Sequence, residues 1–167
     1  MEERLIKVGI THGDINGIGY EVILKTFSDA RVAELCTPVI YGSSKIAAYH
    51  RKALELPPVN MNIISQAEDA GINRVNIINC VDDETKVELS QSTSIAGEAA
   101  FLALEAAVTD LKRGAVDVLL TAPINKHNIQ NDQFHFPGHT EYLEERFGGV
   151  GRKALMILMK DGLRVAL

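Results

Sequence analysis

The sequence predicts an α/β fold built on a largely parallel sheet. Short apolar runs alternate with helix-period segments along the chain. Two of these runs lead directly into loops of Gly, Asn, Thr and Pro, which in such folds lie at the carboxyl ends of strands, where ligands bind. No internal repeat, low-complexity stretch or flexible linker breaks the alternation. The length of 167 residues suits one ordinary domain, or one lobe of something larger.

Leu5–Ile10 reads as the first strand, Thr11–Gly19 as a glycine-punctuated loop and Glu21–Phe27 as a short helix after it. Pro38–Tyr41 is a second strand. Ser43 or Ser44 can cap the next helix, because a serine hydroxyl accepts from a first-turn amide, and Pro57-Pro58 stops the helix after about Leu54. Met61–Ile64 and Val75–Asn79 are further strands. Ser94–Arg113 is the clearest helix, with Ser94 as its N-cap. Ala96, Ala99, Ala100, Ala103, Ala106 and Ala107 favour helix and keep its surface shallow, so that a neighbour can pack closely. Lys112 and Arg113 suit the negative end of the helix dipole, and Gly114 ends it. Val116–Leu120 is a strand that delivers the chain to Thr121–Lys126, and Thr140–Phe147 is a helix. Ala154–Met159 and Leu163–Leu167 flank Asp161-Gly162 as a hairpin, with Leu163–Leu167 expected to be a buried strand. The chain stops inside that strand, which points to a fragment.

Charge and composition narrow the function. Lys plus Arg is 17 and Asp plus Glu is 22, a net −5 that argues against a nucleic-acid partner but leaves room for a local positive pocket. Apolar residues at 46% and charged residues at 23% exclude disorder. No apolar run approaches the roughly 18 residues that span a bilayer. The charged start, Met1 to Lys7, lacks the apolar core of a signal peptide. The expectation is a cytoplasmic protein without a membrane partner. Cys36 and Cys80 have no metal-ligand spacing and read as ordinary, mostly buried thiols.

Three segments could carry chemistry. In Thr11-His-Gly-Asp-Ile-Asn-Gly-Ile-Gly-Tyr-Glu21 the glycine spacing is G-x-x-x-G-x-G, neither the dinucleotide fingerprint nor a P-loop. It supports a tight βα turn; Asp14 is either a cleft residue or a helix cap, and Asn16-Gly17 is turn chemistry. In Thr121-Ala-Pro-Ile-Asn-Lys126, Asn125 and Lys126 offer a neutral and a cationic donor for a phosphate or carboxylate, the alternative being a surface lysine after a turn. In Phe134-His-Phe-Pro-Gly-His-Thr-Glu141, His139 and Thr140 open a helix, so side-chain donors and orphan N–H groups point the same way. His135 and His139 are separated by a Pro137-Gly138 turn and do not share a helix face, which argues against a metal pair. His12, His50 and His127 read as structural or surface residues. No G-x-S-x-G elbow supports a nucleophilic hydrolase.

Taken in order, Ile10–Glu21, Val39-Ile-Tyr-Gly-Ser43, Thr121-Ala-Pro-Ile-Asn-Lys126 and Phe136-Pro-Gly-His-Thr-Glu141 resemble the 4-hydroxythreonine-4-phosphate dehydrogenases of vitamin B6 biosynthesis, over about the first half of a family member. The resemblance implies a two-lobed α/β/α fold like that of isocitrate and isopropylmalate dehydrogenases, with residues 1–120 in the first lobe, 121–167 opening the second, and a homodimer. It implies NAD-dependent, metal-assisted oxidation of 4-phosphooxy-L-threonine, then decarboxylation to 3-amino-2-oxopropyl phosphate. His139 and Thr140 match the family's substrate-binding pair; Asp14, Asn125 and Lys126 are candidate cleft residues. The divalent metal (Zn, Mg or Co) would be held by three histidines beyond Leu167, where the catalytic groups are also expected. This chain should therefore hold no metal ligand and be inactive alone. Many relatives carry Pro where this chain has Ile15 and Tyr20, which predicts a looser loop here. The alternatives are a dehydrogenase of 4-phosphorylated threonate or erythronate, and a non-catalytic domain that binds phosphorylated metabolites.

Overall fold

The computed structural model describes residues 5–149 and 151–167. The charged residues 1–4, used above in the signal-peptide argument, lie outside them. In chain order the elements are β1 (Lys7–Thr11), α1 (Gly19–Phe27), α2 (Val32–Leu35), β2 (Thr37–Gly42), α3 (Ser44–Ala53), β3 (Met61–Ile64), a 3-10 turn (Ala67–Asp69), β4 (Val75–Asn79), α4 (Ser94–Lys112), β5 (Val118–Thr121), α5 (His139–Phe147), β6 (Ile157–Lys160) and β7 (Leu163–Ala166). Strands β1 to β5 form one parallel sheet in the order β3-β4-β2-β1-β5. Helices cover both of its faces, so the central strand β2 is buried along its whole length. Ile40 faces α1 and α2 with Ile10, Ile23, Phe27 and Ala33. Its neighbours Val39 and Tyr41 face the other way, toward Ala103 and Ala107 of α4. Ala96, Ala99, Ala100, Ala103 and Ala107 are all buried, as close packing of an alanine-rich face requires. The outer side of α4 receives Ile129, Phe134 and Tyr142 from the chain that follows β5.

Several expectations need correction. Thr93, not Ser94, caps α4: it is extended, and its hydroxyl accepts from the Ala96 N–H. β5 begins two residues later than predicted because Ala115 and Val116 turn into the α4 core before the chain reaches β1. The hairpin β6–β7 forms, turning through Asp161 at φ 49°. Its strands are exposed throughout, however, and the expected burial of Leu163–Leu167 is overturned: among the described residues the two strands pair only with each other. Both cysteines are half-buried free thiols, and burial pushes the Cys80 thiol up to about 12. Among the described residues no helix is long and apolar enough to cross a membrane.

Candidate active site

The carboxyl ends of β1 and β5 lie side by side, and the two loops that leave them are tied together. The Asp14 N–H donates to the Pro123 carbonyl at 2.9 Å. Gly13 makes this approach at φ +70°, and a Cβ there would sit 2.2 Å from the Pro123 oxygen. Glycine is needed on both counts.

Asp14 is buried, with both oxygens engaged. One accepts from the Asn16 N–H at 2.8 Å, closing an Asx turn; the other accepts from Asn128 Nδ2 at 3.1 Å. Asp14 therefore caps no helix, and α1 starts at Gly19, after an N-cap residue, Ile18, that makes no side-chain cap bond. Asn16, read from sequence as turn chemistry, is a hub. Its Oδ1 accepts from the Glu88 N–H at 2.7 Å, and its Nδ2 donates to Gln91 O at 2.9 Å and Thr93 Oγ1 at 3.1 Å. Its carbonyl accepts from the Ser90 N–H at 2.9 Å. The strap before α4 is thereby held over the loop, and Ser92 on that strap accepts from Asn125 Nδ2 at 3.2 Å. Asn125 uses its Oδ1 to hold the His127 and Asn128 N–H groups, so its side chain shapes the loop.

Across from these lies the start of α5. Gly138 precedes it in extended geometry and offers no side-chain cap, which leaves first-turn N–H groups free of a side-chain acceptor. Lys126 is exposed, and its Cε passes 3.8 Å from the place a Gly138 Cβ would occupy. Lys126 has no ion pair among the described residues. His139 is half-buried, its Nε2 has no partner among the described residues, and burial lowers its pKa, leaving a neutral imidazole near pH 7. Thr140 is exposed beside it. Lys126 thus passes beside the N-terminus of the helix that His139 and Thr140 open, where a cation and first-turn N–H groups suit a phosphate or carboxylate, while Glu141 Oε2 lies 3.6 Å from the same Gly138 Cβ position. Glu141 is the acidic residue of that first turn.

Other features of the surface fit an anionic ligand less well. A depression of about 420 Å³ along α5 is lined by three carboxylates, Glu141, Glu144 and Glu145, against one cation, Arg152, so its net charge disfavours an anion. In the Thr11–Gly19 loop the Asp14, Asn16 and Gly17 N–H groups all donate within the protein and are not offered to a phosphate. Among the described residues no three His, Cys, Asp or Glu side chains are placed to share a metal ion. His135 and His127 are exposed, while His12 and His50 are buried under the loop. Ile15 and Tyr20, the two positions from which a looser loop was expected, are both fully buried. Asn128 carried no sequence signal. Only the fold brings it to Asp14, across 114 positions.

Comparison with known proteins places this geometry in context. The family described as "Pyridoxal phosphate biosynthetic protein PdxA" matches over residues 34–167. A 4-hydroxythreonine-4-phosphate dehydrogenase of Bacteroides thetaiotaomicron is 60% identical over the whole chain, which covers 45% of that relative. Clostridium botulinum proteins provisionally named D-threonate 4-phosphate dehydrogenase are 32% identical over 83% of the chain and 42% of their own length. The crystal structure of a 4-hydroxythreonine-4-phosphate dehydrogenase from Burkholderia phymatum superposes with a TM-score of 0.84 at 29% identity, covering 98% of this chain and 49% of that one. The chain thus spans about half the length of the relatives it matches.

Proposed function

Because the chain belongs to the pyridoxal phosphate biosynthetic protein PdxA family, we propose that the whole protein is a dehydrogenase of 4-phosphooxy-L-threonine. The secondary alcohol is oxidised with NAD as hydride acceptor and a divalent metal as Lewis acid, and the β-keto acid formed loses CO2 to give 3-amino-2-oxopropyl phosphate. The part this reading assigns to the present chain is substrate binding. Lys126, the Thr140 hydroxyl and the first-turn amides of α5 hold an anionic group of the substrate, and His139 Nε2 hydrogen-bonds a neighbouring polar group. Asp14 and Asn125 border the site and set its loops. The same reading carries a cytoplasmic homodimer of two-lobed α/β/α chains, with residues 1–120 in the first lobe and 121–167 opening the second.

The observation that carries this reading is the uncapped start of α5, where Lys126 passes Gly138 and the next residue, His139, has a buried ring nitrogen without a partner among the described residues. The test follows NADH absorbance from the whole protein with 4-phosphooxy-L-threonine, and separately with the 4-phosphates of D-threonate and erythronate. A hydrogen bond to a charged substrate group is worth about 1.5–3 kcal/mol, so His139→Ala should lower kcat/KM by roughly 10- to 100-fold. Thr140→Val should act in the same direction with little change of shape. Turnover of the D-threonate ester alone would move the protein to the substrate of its 32%-identical relatives. Absence of NADH with every ester would leave a non-catalytic binding domain. Unchanged kinetics in both variants would remove His139 and Thr140 from the site.

A further inference from the structure

Beneath the Thr11–Gly19 loop three rings from three elements form a column. His12, directly after β1, stacks on Tyr20 of α1 with centroids 5.2 Å apart and planes at 11°. The other face of Tyr20 stacks on His50 of α3 at 5.3 Å. All three are buried. The column also makes directed bonds. His50 Nε2 donates to the Ile15 carbonyl, the middle of the loop, at 2.7 Å. The Tyr20 hydroxyl accepts from the Ser43 N–H at 2.8 Å and donates to the Ser43 carbonyl at 3.2 Å. Below the rings, Gly42 leaves no slack: a Cβ there would lie 2.3 Å from Tyr20 Oη and 2.7 Å from His12 Cδ2. The first residue of α1, Gly19, is equally close to the loop's start, since its Cβ would lie 2.0 Å from the His12 carbonyl oxygen.

We propose that the His12–Tyr20–His50 column is a positioning device that fixes the Thr11–Gly19 loop, and with it the Asp14 carboxylate, against the Asn125–Asn128 loop of the substrate site. The column holds the loop at two points, Ile15 by its carbonyl and Tyr20 by its ring. Stacking and two sets of hydrogen bonds supply the rigidity. The three residues act through Asp14 and touch no substrate. Their effect on catalysis rests on the substrate reading above; their effect on the loop does not.

The test separates the two. Amide hydrogen exchange is measured on the whole protein and on His50→Phe, which keeps a ring and loses the donor to Ile15, and on His50→Gln, which keeps a donor and loses the ring. Tyr20→Phe keeps the stack and removes both Ser43 bonds, and serves if a His50 variant fails to fold. Loss of one buried hydrogen bond should speed exchange in residues 13–19 by about tenfold, with residues 37–42 of β2 unchanged and His50→Gln closer to the parent than His50→Phe. KM for the phosphorylated substrate should rise while kcat stays near the parent value. Faster exchange spread equally over β2, or no change in the loop, would overturn the proposal and leave the rings as core packing. Loop exchange that rises while KM stays put would also overturn it, because the loop would then not serve the site. An inactive parent protein would refute the substrate reading, and the exchange comparison would then decide the column alone.

Discussion

Gly97→Ala puts two rules in opposition. In an ordinary helix interior the change stabilises by about 0.5–1 kcal/mol, because glycine loses the most backbone freedom on folding. Gly97, however, lies where α4 meets the loop after β5. A Cβ there would sit 1.8 Å from the Asn128 carbonyl oxygen, 2.3 Å from its carbon and 2.8 Å from the Ile129 nitrogen. Normal contact requires that backbone to retreat by roughly 1.5 Å. It has little freedom to do so: Ile129 is fully buried, its N–H donates to the Asn125 carbonyl, and Asn128 is bonded to Asp14. Overpacking of this kind costs about 1–3 kcal/mol. The balance is a net loss of about 1–2 kcal/mol, or a fall of roughly 2–8 °C in thermal midpoint for a chain of this size. Thr109→Ala on the exposed side of the same helix provides the control, with an expected small rise. Circular dichroism melts of the three proteins decide the matter. A Gly97→Ala midpoint at or above the parent's would show that the loop moves freely, and the argument for a tightly held site would fail.

Asn16→Ala removes three side-chain bonds from the strap before α4 and should cost about 2–3 kcal/mol; limited proteolysis should then cut residues 82–92 faster than in the parent, and an unchanged digestion rate would contradict the hub role. Burial pushes the His12 imidazole down to about 4, with the nearby His50 acting in the same direction. His50 is itself lowered by burial, partly offset by Glu21 and its bond to Ile15. Because the unfolded chain takes up the His12 proton near pH 6.5, the stability from neutral His12 is fully present above that pH and is lost as pH falls toward 4. The loss is about 3 kcal/mol at most. Urea midpoints measured from pH 7.5 to 4 should fall on the acid side, and His12→Phe should flatten that limb; a limb of equal slope would clear His12 of the effect.

The parallel sheet was legible because strand-like runs and helix-period segments alternate cleanly, and α4 because alanine marks a close-packed face. The turns that precede Lys126 and His139 were legible because Pro123 and Pro137-Gly138 announce them, and the structure brings Lys126 close to Gly138. The strand ends were less so: Thr11 and Gly42 complete their strands through pairing that no local propensity records. Asn16 looked like a turn residue because its dipeptide partner is glycine, yet its four bonds reach Glu88, Ser90, Gln91 and Thr93, far along the chain. Asn128 and the ring column depend on through-space neighbours alone. The burial expected for Leu163–Leu167 failed for a related reason, since an apolar run states what a segment would bury and not what is there to cover it.

The strand order has a consequence for how the protein is made. β1 leaves the ribosome before the other strands of its sheet, but its β5 partner follows more than a hundred residues later: Val8 pairs with Val118. Pro123 and Asn128, which hold Gly13 and Asp14 in place, arrive later still. Helices such as α4 close locally and can form during synthesis, whereas pairing between distant strands must first meet the entropy of closing a long loop. The glycine loop, although synthesised long before that segment, therefore takes its final shape only after the chain through Asn128 has emerged.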